Sequence, residues 1–190
     1  VIVGYVSIFL LSLLPYLQTL GFVFVNLDDT QYVQLCPFVA GGLSIDHVRA
    51  AFASFAHGGI WVPLTWISYM LDVSLVGLRP GPMHLHNALL HAANAVLLSH
   101  LLFSLLRFRV APDRSVGAVS TIPACSASNF RMFCAAALAA LFWALHPLRT
   151  EPVAWVASRK DVLSLFWELC ALILWTKMVA LRIHSGATAT

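Results

Sequence analysis

The chain opens on a run from Val1 to Val25 that contains no charged side chain. A helix rises 1.5 Å per residue, so about 20 apolar residues cross a hydrocarbon core of about 30 Å, and a run of this length reads as a membrane span. Two adjacent carboxylates, Asp28 and Asp29, follow it directly. A carboxylate is costly in hydrocarbon, which sets the acid pair at one bilayer face, where it can meet a lipid-borne substrate.

The rest of the chain is consistent with a life in lipid. It is 60% hydrophobic and 10% charged, with a mean hydropathy of +0.85, whereas a soluble domain carries about 25% charged residues. The sequence therefore predicts an integral membrane protein. A formal charge of +3, dispersed and without a basic run interleaved with aromatics, excludes a nucleic-acid partner and leaves membrane lipid as the expected one. The chain begins with Val rather than Met, so a piece of a longer protein is expected. The first segment lacks a basic leader and a small-residue cleavage site before Asn26, which predicts an uncleaved first span.

An all-α, polytopic fold of about four spans is predicted within a membrane domain over 1–182, with a tail over 183–190. The spans are expected at about 1–25, 84–106, 132–148 and 162–181. Arg107, Arg109, Arg114 and Arg131 crowd the second connection against the single acid Asp113, and Lys177 and Arg182 end the fourth span on the same side. The opposite side carries Arg49, Arg79, Arg149, Arg159 and Lys160, two of them in a long connection where the positive-inside rule fades. Loop density places Asp28, Asp29 and the 146–161 connection outside.

The long first connection should contain helices of its own. Ser44 is a candidate N-cap for a helix with Ile45, Val48, Phe52 and Phe55 on one face. After His57-Gly58-Gly59, Pro63 suits the first turn of a second helix, with Leu64, Ile67, Leu71 and Leu75 on one side and Thr65, Ser68 and Asp72 on the other. Such a helix suits the membrane interface.

The second span carries a polar stripe. His84, Asn87, His91 and Asn94 step by three, four and three residues and so share one helix face, turned away from lipid. The plain reading is hydrogen bonding between helices of a bundle; the alternative is contact of His84 and His91 with a ligand or phosphate. No metal site is expected, because His84 and His86 point differently and no Cys or carboxylate stands at ligand spacing beside them. Cys36 and Cys125 fall in connections on opposite sides and Cys134 and Cys170 in spans, so no disulfide framework is suggested.

The third connection is dense in chemistry for its length. His146, Arg149, Glu151, Arg159, Lys160 and Asp161 lie between two spans. Arg offers a bidentate fork and Lys a point charge to a phosphate, while the plain reading is a solvated loop whose charges anchor the span ends.

Four strings occur in order: Phe24-Val25-Asn26-Leu27-Asp28-Asp29; Pro63-Leu64-Thr65-Trp66 with Met70-Leu71-Asp72 and Gly77-Leu78-Arg79-Pro80; His84 through Asn94; and His146-Pro147 continuing to Asp161-Val162-Leu163-Ser164. Together they resemble the membrane part of the transmembrane and tetratricopeptide-repeat proteins, which belong to the C-type (GT-C) glycosyltransferases. The resemblance covers nearly the whole chain. It departs at Val62, where the family often has a basic or His residue, and at Met83, where bacterial relatives often have His. The chain has no tetratricopeptide repeats and fewer spans than the family's catalytic domain, so the resemblance implies the N-terminal part of one.

The resemblance implies transfer of mannose from a polyprenyl-phosphate carrier to a protein Ser or Thr hydroxyl, with inversion. The family's acid motif falls on Asp28 and Asp29, one as general base and the other orienting the acceptor or a cation; which does which stays open. A carboxylate that accepts the hydroxyl proton as the new bond forms speeds such a step by about 10² to 10⁴. The phosphate leaving group then needs donors, for which Arg159 and Lys160 with His84 or His91 are candidates, and Asn87, His146, Arg149, Glu151 and Asp161 complete the expected substrate contacts. No cofactor is called for beyond compatibility with a divalent cation. The implied location is a bacterial inner membrane or the endoplasmic reticulum, acid pair outward. The alternative is a noncatalytic scaffold or a transporter, with Asp28, Asp29, Glu168 and the polar stripe lining an aqueous path.

Overall fold

A computed structural model of the chain describes residues 1–54, 60–109 and 126–186. Phe55, His57, Gly58, Gly59, Asp113, Arg114 and Cys125 lie outside the described residues. All regular structure among those described is helical: α1 (Ile2–Leu13), α2 (Pro37–Ala40), α3 (Ile45–Ala53), α4 (Pro63–Val76), α5 (Pro80–Arg109), α6 (Ser126–Ala144), α7 (Thr150–Ala154) and α8 (Arg159–Gly186). The protein is an all-α polytopic membrane protein. Ile2–Gly21, Pro80–Arg107 and Val156–Arg182 are each long and apolar enough to cross a bilayer, and Ser128–Ala144 with Pro147–Ala154 makes a fourth span if a pair bent by 63° counts as one.

The first span is not a single α-helix. Pro15 has no N–H to give and its ring crowds the preceding turn, so the α-helix stops at Leu13 and the chain winds on as a tighter 3₁₀ helix over Leu14–Gly21. Thr19, buried, returns its hydroxyl to the Tyr16 carbonyl at 2.7 Å, so its polar oxygen has a partner inside the bundle. The chain leaves the helix at Phe22, so Val23 and Val25 belong to the connection.

The second span, α5, starts four residues before His84, at Pro80, because a proline without a donor suits a first helical turn. It is the axis of the bundle, packed by α6 and α8 and by α1 with its 3₁₀ extension. α8 starts at Arg159, three residues before the expected Val162.

The first connection folds into a small packed cap. Ser44 accepts the His47 N–H at 3.1 Å and starts α3, while Pro63 sits in the first turn of α4. Gly77 then ends α4 at φ +77°, a backbone conformation that side chains resist. Val33, Phe38, Trp66, Tyr69 and Met70 form its core together with Met83 of α5 and Val156. Ile45 and Phe52 on α3, and Leu64, Leu71 and Leu75 on α4, stay exposed as an interfacial face requires. The other side of α4 turns inward: Thr65 and Asp72 are buried.

Candidate functional site

The first connection and the start of α8 meet at the acid pair. Asp29 is fully buried; its Oδ2 accepts the Val25 N–H at 2.9 Å and its Oδ1 the Ala157 N–H at 2.7 Å. Burial raises its carboxyl above the ordinary carboxylate value, while the two N–H donors pull the other way. Asp28 is half-buried, and its carboxylate makes no hydrogen bond among the described residues. Neighbours in sequence, the two acids therefore have different work: one fastens the loop, the other keeps its oxygens available.

Arg159, also fully buried, is the second fastening. Its Nε donates to Asn87 Oδ1 at 2.7 Å, Nη2 to the Met83 carbonyl at 2.9 Å, and Nη1 to Asp72 Oδ2 at 2.5 Å with a longer reach to Ser68 Oγ. Its guanidinium carbon lies 4.5 Å from the centre of the Tyr69 ring, whose hydroxyl donates to the Val156 carbonyl at 2.7 Å. On the outer side of Asp72, Oδ1 accepts from His86 Nδ1 at 2.7 Å. A buried guanidinium is tolerable only with its donors satisfied, and here a carboxylate, an amide and a backbone carbonyl satisfy them.

The polar stripe of α5 is buried along its whole length. Asn87 Nδ2 donates to the Trp155 carbonyl at 2.9 Å, His91 Nε2 to the Ala144 carbonyl at 3.0 Å, and Asn94 Nδ2 to the Val162 carbonyl at 2.8 Å. Ala144 ends α6, where a carbonyl lacks an intrahelical partner, whereas the Trp155 carbonyl also accepts the Ser158 N–H and Val162 stands in the first turn of α8. His84 differs: it is buried, Phe22 meets it edge-on at 6.0 Å, and neither ring nitrogen has a hydrogen-bond partner.

The predicted site residues fall into three groups. Asp29, His84, Asn87 and Arg159 gather at the junction, with Asp28 and Lys160 at its edge. Lys160 is half-buried and reaches the Ala157 carbonyl at 3.3 Å. His91 and Arg149 meet instead at Trp143, with His91 5.2 Å from its ring and Arg149 5.6 Å. His146 accepts the Leu148 N–H at 3.2 Å and caps the turn at Pro147. Glu151 and Asp161 are exposed in the first turns of α7 and α8, where a carboxylate complements the helix dipole. Asp72, His86, Ser68 and Tyr69 were not expected at the site. The signal for two of them was the Ser68 and Asp72 spacing on α4, whose polar side turns to the protein and not to water. Among the described residues no three His, Cys, Asp or Glu side chains are grouped to hold a metal ion.

Fold and site together define a polytopic helical membrane protein with an acid pair and a buried arginine junction at one end of its bundle. The chain is similar to the mouse protein O-mannosyl-transferase TMTC2, 29% identical over 126 residues that make 66% of this chain and 12% of that protein. It is also similar to the Xenopus laevis protein O-mannosyl-transferase tmtc2, 28% identical over 183 residues, 92% of this chain and 19% of the relative. The Drosophila melanogaster protein O-mannosyl-transferase Tmtc3 is 32% identical over 117 residues, 62% of this chain and 12% of the relative. The chain thus spans between 12% and 19% of the length of these curated relatives, and the likeness is a distant, family-level one. No family model and no solved structure matches it.

Proposed function

We propose that the protein serves an inverting glycosyl transfer from a polyprenyl-phosphate sugar, mannose by analogy with the names of its relatives, to a protein Ser or Thr hydroxyl. The observation that carries this reading is the division of labour in the acid pair. Both oxygens of Asp29 are taken by backbone N–H groups, whereas Asp28 is half-buried and uncommitted. Asp28 is the base in this reading. It accepts the acceptor's hydroxyl proton as that oxygen bonds to the anomeric carbon, and the bond from that carbon to the phosphate oxygen breaks on the opposite face. The lipid phosphate leaves with the bonding pair.

Asp29 positions the base by fixing the loop on Ala157. Arg159 has its donors engaged within the protein, so the cation left beside the acid pair for the phosphate is Lys160. A transport path finds less to draw on, since Glu168 is exposed on α8 and three of the four stripe residues are bonded to backbone carbonyls. The test is a sugar-transfer assay comparing wild type with Asp28→Asn and Asp29→Asn. Loss of transfer with Asp28→Asn is expected, and unchanged turnover in that variant would remove the base. Substrate flux in liposomes without sugar transfer would favour the transport reading.

A further inference from the structure

A cleft separates the 3₁₀ end of the first span from the third connection. Its wider chamber, 460 Å³, has walls that include Phe22, Val25, Leu148, Glu151 and Trp155. An inner chamber of 210 Å³ continues from it, since Phe22, Thr150 and Ala154 line both. The 3₁₀ helix is the reason for one wall. At about three residues per turn it sets Tyr16 and Thr19 in a row that Phe22 ends, whereas an α-helix would swing each about 60° from the last.

Two polar groups of the wider chamber lack partners. Glu151 is exposed, and its carboxylate makes no hydrogen bond or ion pair among the described residues. The Nε1–H of Trp155 is buried, can only donate and has no acceptor, so it marks a place where an acceptor belongs. Phe22, Val25 and Leu148 add an exposed apolar surface. A lipid tail covers that surface but brings neither an acceptor nor a cation, and Glu151 repels an anionic headgroup. A polypeptide brings all three: apolar side chains, backbone carbonyls and a cationic side chain for the carboxylate.

Val25 ties the cleft to the acid pair. It lines the wider chamber, and its N–H is held by Asp29 Oδ2 at 2.9 Å. Asp28 is three residues further along the chain, within about 11 Å even when that stretch is fully extended. An extended polypeptide crosses the same distance in about three residues. We infer that this cleft selects the acceptor by charge: it holds an extended segment with a Lys or Arg within about three residues of the acceptor Ser or Thr, the cation meets Glu151, and Trp155 Nε1 donates to a backbone carbonyl of the segment. Glu151 is then a specificity-determining residue. The placing of the hydroxyl at Asp28 rests on the transferase reading above.

The test is binding of short labelled peptides to the detergent-purified protein by fluorescence anisotropy, with the same peptides as acceptors in the sugar-transfer assay. Each peptide has a central Ser, and the residues two before and two after it are both Lys, both Ala or both Glu. The Lys peptide should bind about threefold more tightly than the Ala peptide and about tenfold more tightly than the Glu peptide, a gap that narrows as salt is raised. Glu151→Gln should erase the gap and Glu151→Lys should invert it, an outcome that a folding defect does not produce. Trp155→Phe should weaken all three alike, by about fivefold, because a backbone carbonyl is common to them. Equal affinity for the three peptides overturns the proposal, as does a gap that survives Glu151→Gln. Absence of binding by every peptide also overturns it and leaves the cleft to lipid. Charge-selective, Glu151-dependent binding without sugar transfer removes the transferase reading and upholds the cleft, whereas sugar transfer at equal rates to all three upholds the transfer and overturns the selection.

Discussion

Asp29 accepts the Ala157 N–H at 2.7 Å across 128 residues of sequence, and this bond fastens the first connection to the start of the last span. Asparagine at 29 puts an NH₂ where one of two oxygens now accepts an N–H, which sets a donor against a donor. Asp29→Asn should therefore cost about 1–3 kcal/mol of stability. Asp28→Asn should leave stability within about 0.5 kcal/mol while lowering sugar transfer by about 10² to 10⁴. Thermal unfolding of both variants in detergent, run beside the transfer assay, separates the roles; a large stability loss at Asp28 and none at Asp29 would reverse them.

The Arg159 junction predicts strong coupling. Arg159→Met leaves Asp72 and the Asn87 and Met83 oxygens without their donor and should cost about 3–5 kcal/mol. Lysine keeps the charge but not the fork, so Arg159→Lys should fall closer to Met than to wild type. Combining Arg159→Met with Asp72→Leu should cost less than the two single changes together, by about 1–3 kcal/mol. A double-mutant cycle measures this, and simple additivity would mean that the pair contributes no energy of its own.

Much of this was legible in the sequence, for reasons that vary by residue. The uncharged Val1–Val25 run marked a span because length and hydropathy are local properties. Pro15 was in plain view, yet whether a proline kinks a helix or converts it to a 3₁₀ helix depends on what packs around it. The stripe from His84 to Asn94 announced a buried face through its spacing, but its partners are backbone carbonyls of Ala144, Trp155 and Val162, and a carbonyl has no letter in a sequence. Asp72 was placed on the polar side of α4; that this side faces Arg159 depends on how the cap docks on the spans, which one helix's pattern does not encode. Nor could adjacency tell Asp28 from Asp29, since only the fold decides which carboxylate meets the Ala157 N–H.

Tyr69 gives the cap an alkaline limit. Burial pushes its phenol well above the ordinary value, against the pull of the Arg159 charge. Above about pH 10 the unfolded chain loses this proton while the folded chain keeps it, so the unfolded state gains and stability falls as pH rises. Below pH 10 both states hold the proton and the contribution is flat. Tyr69→Phe should lower stability near neutral pH by about 1 kcal/mol, the value of its hydrogen bond, and make the alkaline decline shallower. Unfolding midpoints between pH 8 and 11 test the sign; an unchanged slope in Tyr69→Phe would assign the decline to other groups.

Gly81 sets how closely the second span approaches the first. A Cβ at Gly81 would lie 2.7 Å from the Leu20 carbonyl oxygen, backbone against backbone, so neither side can yield by turning a side chain. Alanine is the better helix former by up to about 1 kcal/mol, but less so in a first turn. Relief of the clash must separate the start of α5 from the 3₁₀ end of the first span, at a cost of about 1–3 kcal/mol. The shift would begin three residues before His84, so a loss of sugar transfer should accompany the loss of stability. Gly21→Ala is the matched control, because a Cβ there meets nothing within 4 Å. Gly81→Ala should lower the unfolding temperature while Gly21→Ala leaves it in place, and equal effects would mean that the close approach at Leu20 does not limit the packing.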